Sequence, residues 1–128
     1  MHGRIGLFST TLEVEDLARA RPRVRIAEVV VDTGSEMTWV PAPVLESVGI
    51  ARDKVQRFRL ADGSVIARDV GFAFLHAAGH YTVDEVVFGE PDDLPLLGAR
   101  TLEGLNLRVD PVRKELVHGG PVITAPAA

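Results

Sequence analysis

An aspartate stands directly after three valines in Val29-Val30-Val31-Asp32-Thr33-Gly34-Ser35. A continuous apolar run fits a strand buried on both faces, so a carboxylate at its end is carried toward the interior. Such a carboxylate is costly unless it is hydrogen-bonded or needed for chemistry. The next three residues are suited to hold it. Thr33 and Ser35 carry short hydroxyl donors, and Gly34 lets the chain turn sharply and bring its N–H close. Together they describe a carboxylate at a strand end, gripped by short donors. The same residues also fit a strand end with an Asx-type turn, and Asp-Thr-Gly alone leaves both readings open.

Other polar clusters are less organised. His76 and His80 have His-x-x-x-His spacing, which can bind zinc on a helix. Here they bracket a glycine-containing turn without an evident third ligand, so a surface or cross-strand pair is expected, and no metal. Glu90, Asp92 and Asp93 surround Pro91 and read as a solvated turn rather than a cation loop. Arg19, Arg21, Arg23 and Arg25 alternate, which puts them on one solvent-facing side of an extended segment. Trp39, beside Pro41, reads first as a core residue and second as a pocket wall. Neither a glycine-rich phosphate loop nor a Ser-His-Asp set with a nucleophile elbow is present, and no cofactor is expected.

Short strands must position these residues. Gly3–Val14, Val24–Asp32, Thr38–Val40, Leu94–Leu97, Leu105–Val109 and Leu116–Val117 read as strands, ended by glycine and proline. Phe58–Leu60 and Val65–Val70 flank Asp62-Gly63, a hairpin pair suited to a type I′ turn with positive φ at both central residues. A second hairpin joins Gly71–Ala77 to Tyr81–Phe88. Pro43–Val48 and Ala99–Leu105 read as short helices closed by Gly49 and Asn106, residues that tolerate the left-handed conformation. Leu45-Glu46-Ser47-Val48-Gly49-Ile50 parallels Leu102-Glu103-Gly104-Leu105-Asn106-Leu107, which suggests an internal two-fold or a chance match. The expected fold is all-β: a closed or partly open barrel of short strands with one or two short helices.

The chain has 128 residues, 46% hydrophobic and 25% charged, which suits one domain and one core. Residues 1–118 are expected to form that domain, with 119–128 a Gly/Pro/Ala-rich tail expected to be mobile. The 18 acidic residues outnumber the 14 basic ones, so no nucleic-acid partner is expected. Cysteine is absent, which removes disulfides and thiolate chemistry. The amino terminus has no apolar signal region and no apolar run is long enough to span a bilayer. No membrane partner is expected, and the cytoplasm is the expected compartment.

Asp32-Thr33-Gly34-Ser35 resembles the signature of the aspartic proteases, and the chain from about Val24 to Asp110 is similar to the single-domain, retroviral-type branch (retropepsins). After the signature come an apolar strand, a short helix, an Asp-Gly-tipped hairpin where that family has its flap, and a second hairpin. Leu96-Leu97-Gly98, before the next helix, matches the family's apolar-apolar-Gly motif. The resemblance implies an acid-protease barrel with a flap hairpin, and an aspartic endopeptidase acting on extended peptide or protein substrates. It implies Asp32 as the catalytic carboxylate, paired with a second one that shares its proton while water is activated between them. Asp-(Thr/Ser)-Gly occurs once, because Asp62-Gly63 lacks a middle residue and Asp69-Val70-Gly71 has valine there. One chain thus supplies one carboxylate, and a symmetric homodimer is implied. By the same resemblance Thr33 bridges the two signature loops, Gly34 offers backbone to substrate, and Ser35 orients the outer carboxylate oxygen. Ala61, Asp62, Gly63 and Ser64 form the flap tip, and Glu36 and Arg100 are a possible supporting ion pair. The termini, Arg4–Phe8 first and Leu116–Ile123 second, are the candidate interface strands. The alternative function is a non-catalytic dimerisation or peptide-binding module that keeps the fold.

Overall fold

Strands make up half of the computed structural model, which describes residues 8–119 and 124–127. In chain order they are β1 (Ser9–Glu15), β2 (Val24–Val31), β3 (Thr38–Pro41), β4 (Lys54–Arg59), β5 (Val65–Ala77), β6 (His80–Gly89), β7 (Leu96–Leu97), β8 (Leu107–Asp110) and β9 (Glu115–His118). Two short helices, α1 (Ala42–Val48) and α2 (Ala99–Gly104), follow β3 and β7. Pro43 lies in the first turn of α1, and Gly49 closes it at φ 82°. Asn106 takes φ 56° just beyond α2. The fold is all-β.

Seven strands form one sheet in the order β1-β2-β7-β3-β6-β5-β4, and a further pairing of β1 with β5 closes it into a ring with β4 outside. The ring is not a regular barrel. β7 contributes only the pairs Val30–Leu96 and Val31–Leu97 to β2, and Trp39–Leu96 to β3. The pairing has an approximate two-fold character: β2 runs parallel to β7, β6 runs parallel to β3, and β3 and β7 meet antiparallel. The strand–helix units β3-α1 and β7-α2 are exchanged by that relation, which places the matched Leu45 and Leu102 in one core. Val29 and Val31 are fully buried there, whereas Val30 is half-buried, so the valine run is sealed on one face only.

The two hairpins use different turns. Between β5 and β6, Ala78 and Gly79 both have positive φ (50° and 81°), which is the type I′ pattern that matches strand twist. Between β4 and β5, only Gly63 has positive φ, at 88°. The type I′ turn expected at Asp62-Gly63 is therefore replaced by a longer loop, closed by Gly63 N–H to Leu60 O (2.9 Å) and Leu60 N–H to Ser64 O (2.8 Å). The cause is local: Asp62 Oδ1 accepts from Ser64 N–H (2.9 Å) and Ser64 Oγ–H (2.6 Å), which holds Asp62 out of the left-handed region.

Two expectations need correction. The arginines from 19 to 25 do not share one extended face, because the strand begins only at Val24 and Arg19 sits in a turn at φ 54°, over the Phe74 ring at 3.9 Å. The strand expected over Leu94–Leu97 is only Leu96–Leu97; Pro95, which has no N–H for a ladder, ends it, and Leu94 is exposed. Of the interface candidates, residues 4–7 and 121–123 lie outside the described residues, as do 120 and 128 of the tail. The described parts pack on their own chain. Phe8 and Leu116 lie against the core, the Phe8 carbonyl accepts from Val31 N–H at 2.9 Å, and β9 pairs with β8.

Candidate active site

β2 delivers Asp32 to the floor of a cleft of about 700 Å³, where it is 8% exposed. The backbone on either side of it is hydrogen-bonded. Asp32 N–H donates to Leu97 O (3.0 Å), and Ser35 N–H donates back to Asp32 O (3.2 Å). Ala99 N–H and Arg100 N–H at the start of α2 donate to Ser35 O (2.7 Å) and Glu36 O (3.0 Å). These are first-turn N–H groups with no partner inside a helix, so the signature loop and α2 satisfy each other. Leu97 and the first turn of α2 are thus the clamp that fixes the backbone of the Asp32 loop.

Gly34 N–H donates to Asp32 Oδ1 at 3.0 Å. A Cβ at position 34 would lie 3.2 Å from that same oxygen, so glycine keeps the approach open. Ser35 differs from expectation. Its Oγ donates to Met37 O at 3.1 Å, because the loop turns back between the two residues and offers that carbonyl before the carboxylate. Thr33 is exposed, and its hydroxyl has no partner among the described residues. Glu36 Oε2 and Arg100 Nη2 are 3.1 Å apart, and Arg100 Nη1 also reaches Glu85 Oε1 at 3.1 Å.

The cleft brings Asp32, Gly34, Ser35, Glu36, Leu96 and Arg100 together with Ala61 of the hairpin tip. Asp62, Gly63 and Ser64 stand beyond it, and Leu97 and Gly98 lie buried behind it. Sequence reasoning did not select Met37, Gln56, Phe58 or Leu60 as lining residues. Trp39, read first as core, is half-buried and lines the cleft. A second cleft of about 780 Å³, lined by Val55, Ala67, Pro91 and Pro95 among others, contains no residue of the signature.

A buried polar chain supports the clamp. Gly98 N–H donates to Thr38 Oγ1 (3.0 Å), Thr38 and Thr101 hydroxyls meet at 2.6 Å, and Thr101 Oγ1 donates to Asp84 Oδ2 (2.9 Å). Both threonines are fully buried. Thr101→Val keeps the shape but strands the Thr38 proton and one Asp84 oxygen. The expected cost is about 1–3 kcal/mol, read as a lower denaturation midpoint.

At the base of the hairpin, Arg68 grips Asp93 through Nε to Oδ2 (2.7 Å) and Nη2 to Oδ1 (3.0 Å). The guanidinium holds the Asp93 carboxyl below its ordinary range. A carboxyl lowered by folding stabilises fully above the ordinary carboxylate range, and that stability is lost as pH falls through the lowered value. Asp93→Asn should therefore cost about 2 kcal/mol at neutral pH. The gap to wild type should close in acid, as denaturation midpoints measured across pH will show.

The histidines do not converge. His76 Nε2 contacts Glu15 Oε1 at 2.8 Å, while the His80 ring packs on His118 at 4.7 Å between centroids. Among the described residues no three histidine, aspartate or glutamate side chains gather to hold a metal ion. No helix among them is long and apolar enough to cross a membrane.

No protein-family profile matches the sequence, and no curated protein matches it. A solved structure does. The solution structure of simian foamy virus (mac) protease superposes with a TM-score of 0.50 at 19% sequence identity, covering 74% of this chain and 91% of that one. The fold resembles that of a retroviral protease. In this protease-like fold Asp32 and residues 56–61 of the β4–β5 hairpin line one cleft.

Proposed function

We propose that the chain is one subunit of a homodimeric aspartic endopeptidase that cleaves extended peptide segments. The observation that carries this reading is the placement of Asp32: nearly buried, gripped by Gly34 N–H, and facing an open cleft in a protease-like fold. The cleft gives water and an extended peptide access to that carboxylate.

Asp32 meets Asp32 of the partner subunit at the two-fold axis. Two carboxylates at hydrogen-bond distance share one proton. The ionised one takes a proton from a water between them as the water oxygen attacks the scissile carbonyl carbon. The protonated one donates to the carbonyl oxygen. Proton return to the amide nitrogen then breaks the C–N bond, without a covalent intermediate. Thr33, exposed beside the acid, contacts its counterpart across the axis. The β4–β5 hairpin, with Ala61 at its tip, covers the peptide and excludes water.

The test is cleavage of a peptide library with and without a pepstatin-type inhibitor. Inhibited cleavage that is maximal below neutral pH and indifferent to chelators is expected. A rate that keeps rising through alkaline pH, or one abolished by chelator and restored by zinc, would overturn the reading. A folded dimer that binds peptides and cleaves none would leave only a binding module.

A further inference from the structure

A line of ion pairs runs from the outer hairpin strand to the loop that leaves the signature. Glu85, on β6, holds Lys54 of β4 against Oε2 and Arg100 of α2 at Oε1 (3.1 Å). Arg100 reaches on to Glu36 Oε2 (3.1 Å), and its backbone N–H donates to Glu36 O (3.0 Å). An isolated surface ion pair contributes little, but Glu85 is not at the surface. Its side chain is 18% exposed and Oε2 is buried, so its charge is largely desolvated and each cation beside it counts for more. Lys54 reaches it past the Phe72 ring, 5.9 Å from the centroid, and Phe72 is the cross-strand partner of Glu85.

β4 pairs through its backbone only with β5. Its distance from α2 and the Asp32 loop is therefore left to side chains. Phe58 supplies the apolar contact, against Trp39 at 4.8 Å between ring centroids, and Lys54 supplies the ionic one. Lys54 stands at the base of the hairpin, and a strand advances about 3.3 Å per residue, so Ala61 at the tip is roughly 20 Å further along. A small tilt at the base becomes a larger displacement at the tip. We propose that Lys54 is a positioning residue: through Glu85 and Arg100 it holds the β4–β5 hairpin at the distance from the Asp32 loop that peptide binding requires. This rests on the peptidase reading.

The experiment measures KM and kcat on a peptide without charged side chains for the wild type, Lys54→Met, Lys54→Arg and Arg113→Met. Arg113 pairs with Glu115 in the β8–β9 turn, outside the cleft, and serves as the control. Lys54→Met should raise KM about three- to tenfold at low salt with kcat within about twofold. The ratio of mutant to wild-type KM should fall toward one near about 1 M NaCl, because salt screens the half-exposed ends of the chain. Lys54→Arg should restore the wild-type KM, and Arg113→Met should not move it. Acrylamide should quench Trp39, the sole tryptophan, more strongly in Lys54→Met, because the ring beside it sits on the loosened strand. An unchanged KM in Lys54→Met, a loss confined to kcat, no rescue by arginine, or unchanged quenching overturns the positioning role while the peptidase reading stands. Absence of wild-type cleavage overturns the two together.

Discussion

Asp32→Asn is expected to abolish peptide cleavage, with a loss on the order of 10⁴-fold in kcat, and to leave the proposed dimer folded. The amide has the shape of the carboxyl, and its oxygen still accepts the Gly34 N–H that now reaches Oδ1 at 3.0 Å. The Leu97 O and Ser35 N–H bonds to residue 32 are backbone bonds and do not change. What the proposed mechanism loses is chemical: the base that takes the water proton, and the proton shared across the axis. The substitution also removes repulsion between two close carboxylates, so the dimer holds at least as well as the wild type. Turnover by chromatography and dimer mass by sedimentation check both halves. Turnover near wild type would remove Asp32 from the mechanism.

Gly98→Ala is expected to cost more stability than the Thr101 or Asp93 substitution. Its backbone, at φ −95° and ψ 175°, suits any residue, so the effect is not conformational. A Cβ there would lie 2.4 Å from Met37 O and 2.6 Å from Met37 C. Both are backbone atoms of the loop that leaves the signature, and neither can swing aside like a side-chain tip. Relief requires α2 to back away from that loop. The movement stretches Gly98 N–H to Thr38 Oγ1, Ala99 N–H to Ser35 O and Arg100 N–H to Glu36 O together. The expected cost is roughly 3 kcal/mol. Activity should fall with it, because the same bonds hold the Asp32 loop. An alanine variant with wild-type midpoint and turnover would mean that the clamp is not tight in solution.

What the sequence disclosed was what local chemistry dictates. The valine run marked β2, Gly49 and Asn106 marked the helix ends, and Asp32 through Ser35 marked the loop whose Asp32, Gly34 and Ser35 line the cleft. The errors came where neighbours compete for one group. Asp62 was read by its partnership with Gly63, but the Ser64 hydroxyl and N–H capture its side chain and change the turn. Ser35 was assigned to the carboxylate, but a carbonyl two residues ahead takes its proton. The Thr38–Thr101–Asp84 chain joins residues far apart in sequence, and no spacing rule points to it. Trp39 reads as core first because a lone tryptophan between Thr38 and Val40 gives no sign of which face meets the cleft. Its meeting with Phe58 depends on the hairpin folding back over β3.

The central claim is that each active centre needs one carboxylate from each of two chains. Mixing tests it most directly. Wild-type and Asp32→Asn chains are combined in equal amounts, unfolded, refolded together at a concentration where both dimerise, and assayed per total chain. If both carboxylates are required, only wild-type pairs are active and the mixture retains about one quarter of the wild-type rate. If each chain works alone, it retains about one half, and that result would contradict the account.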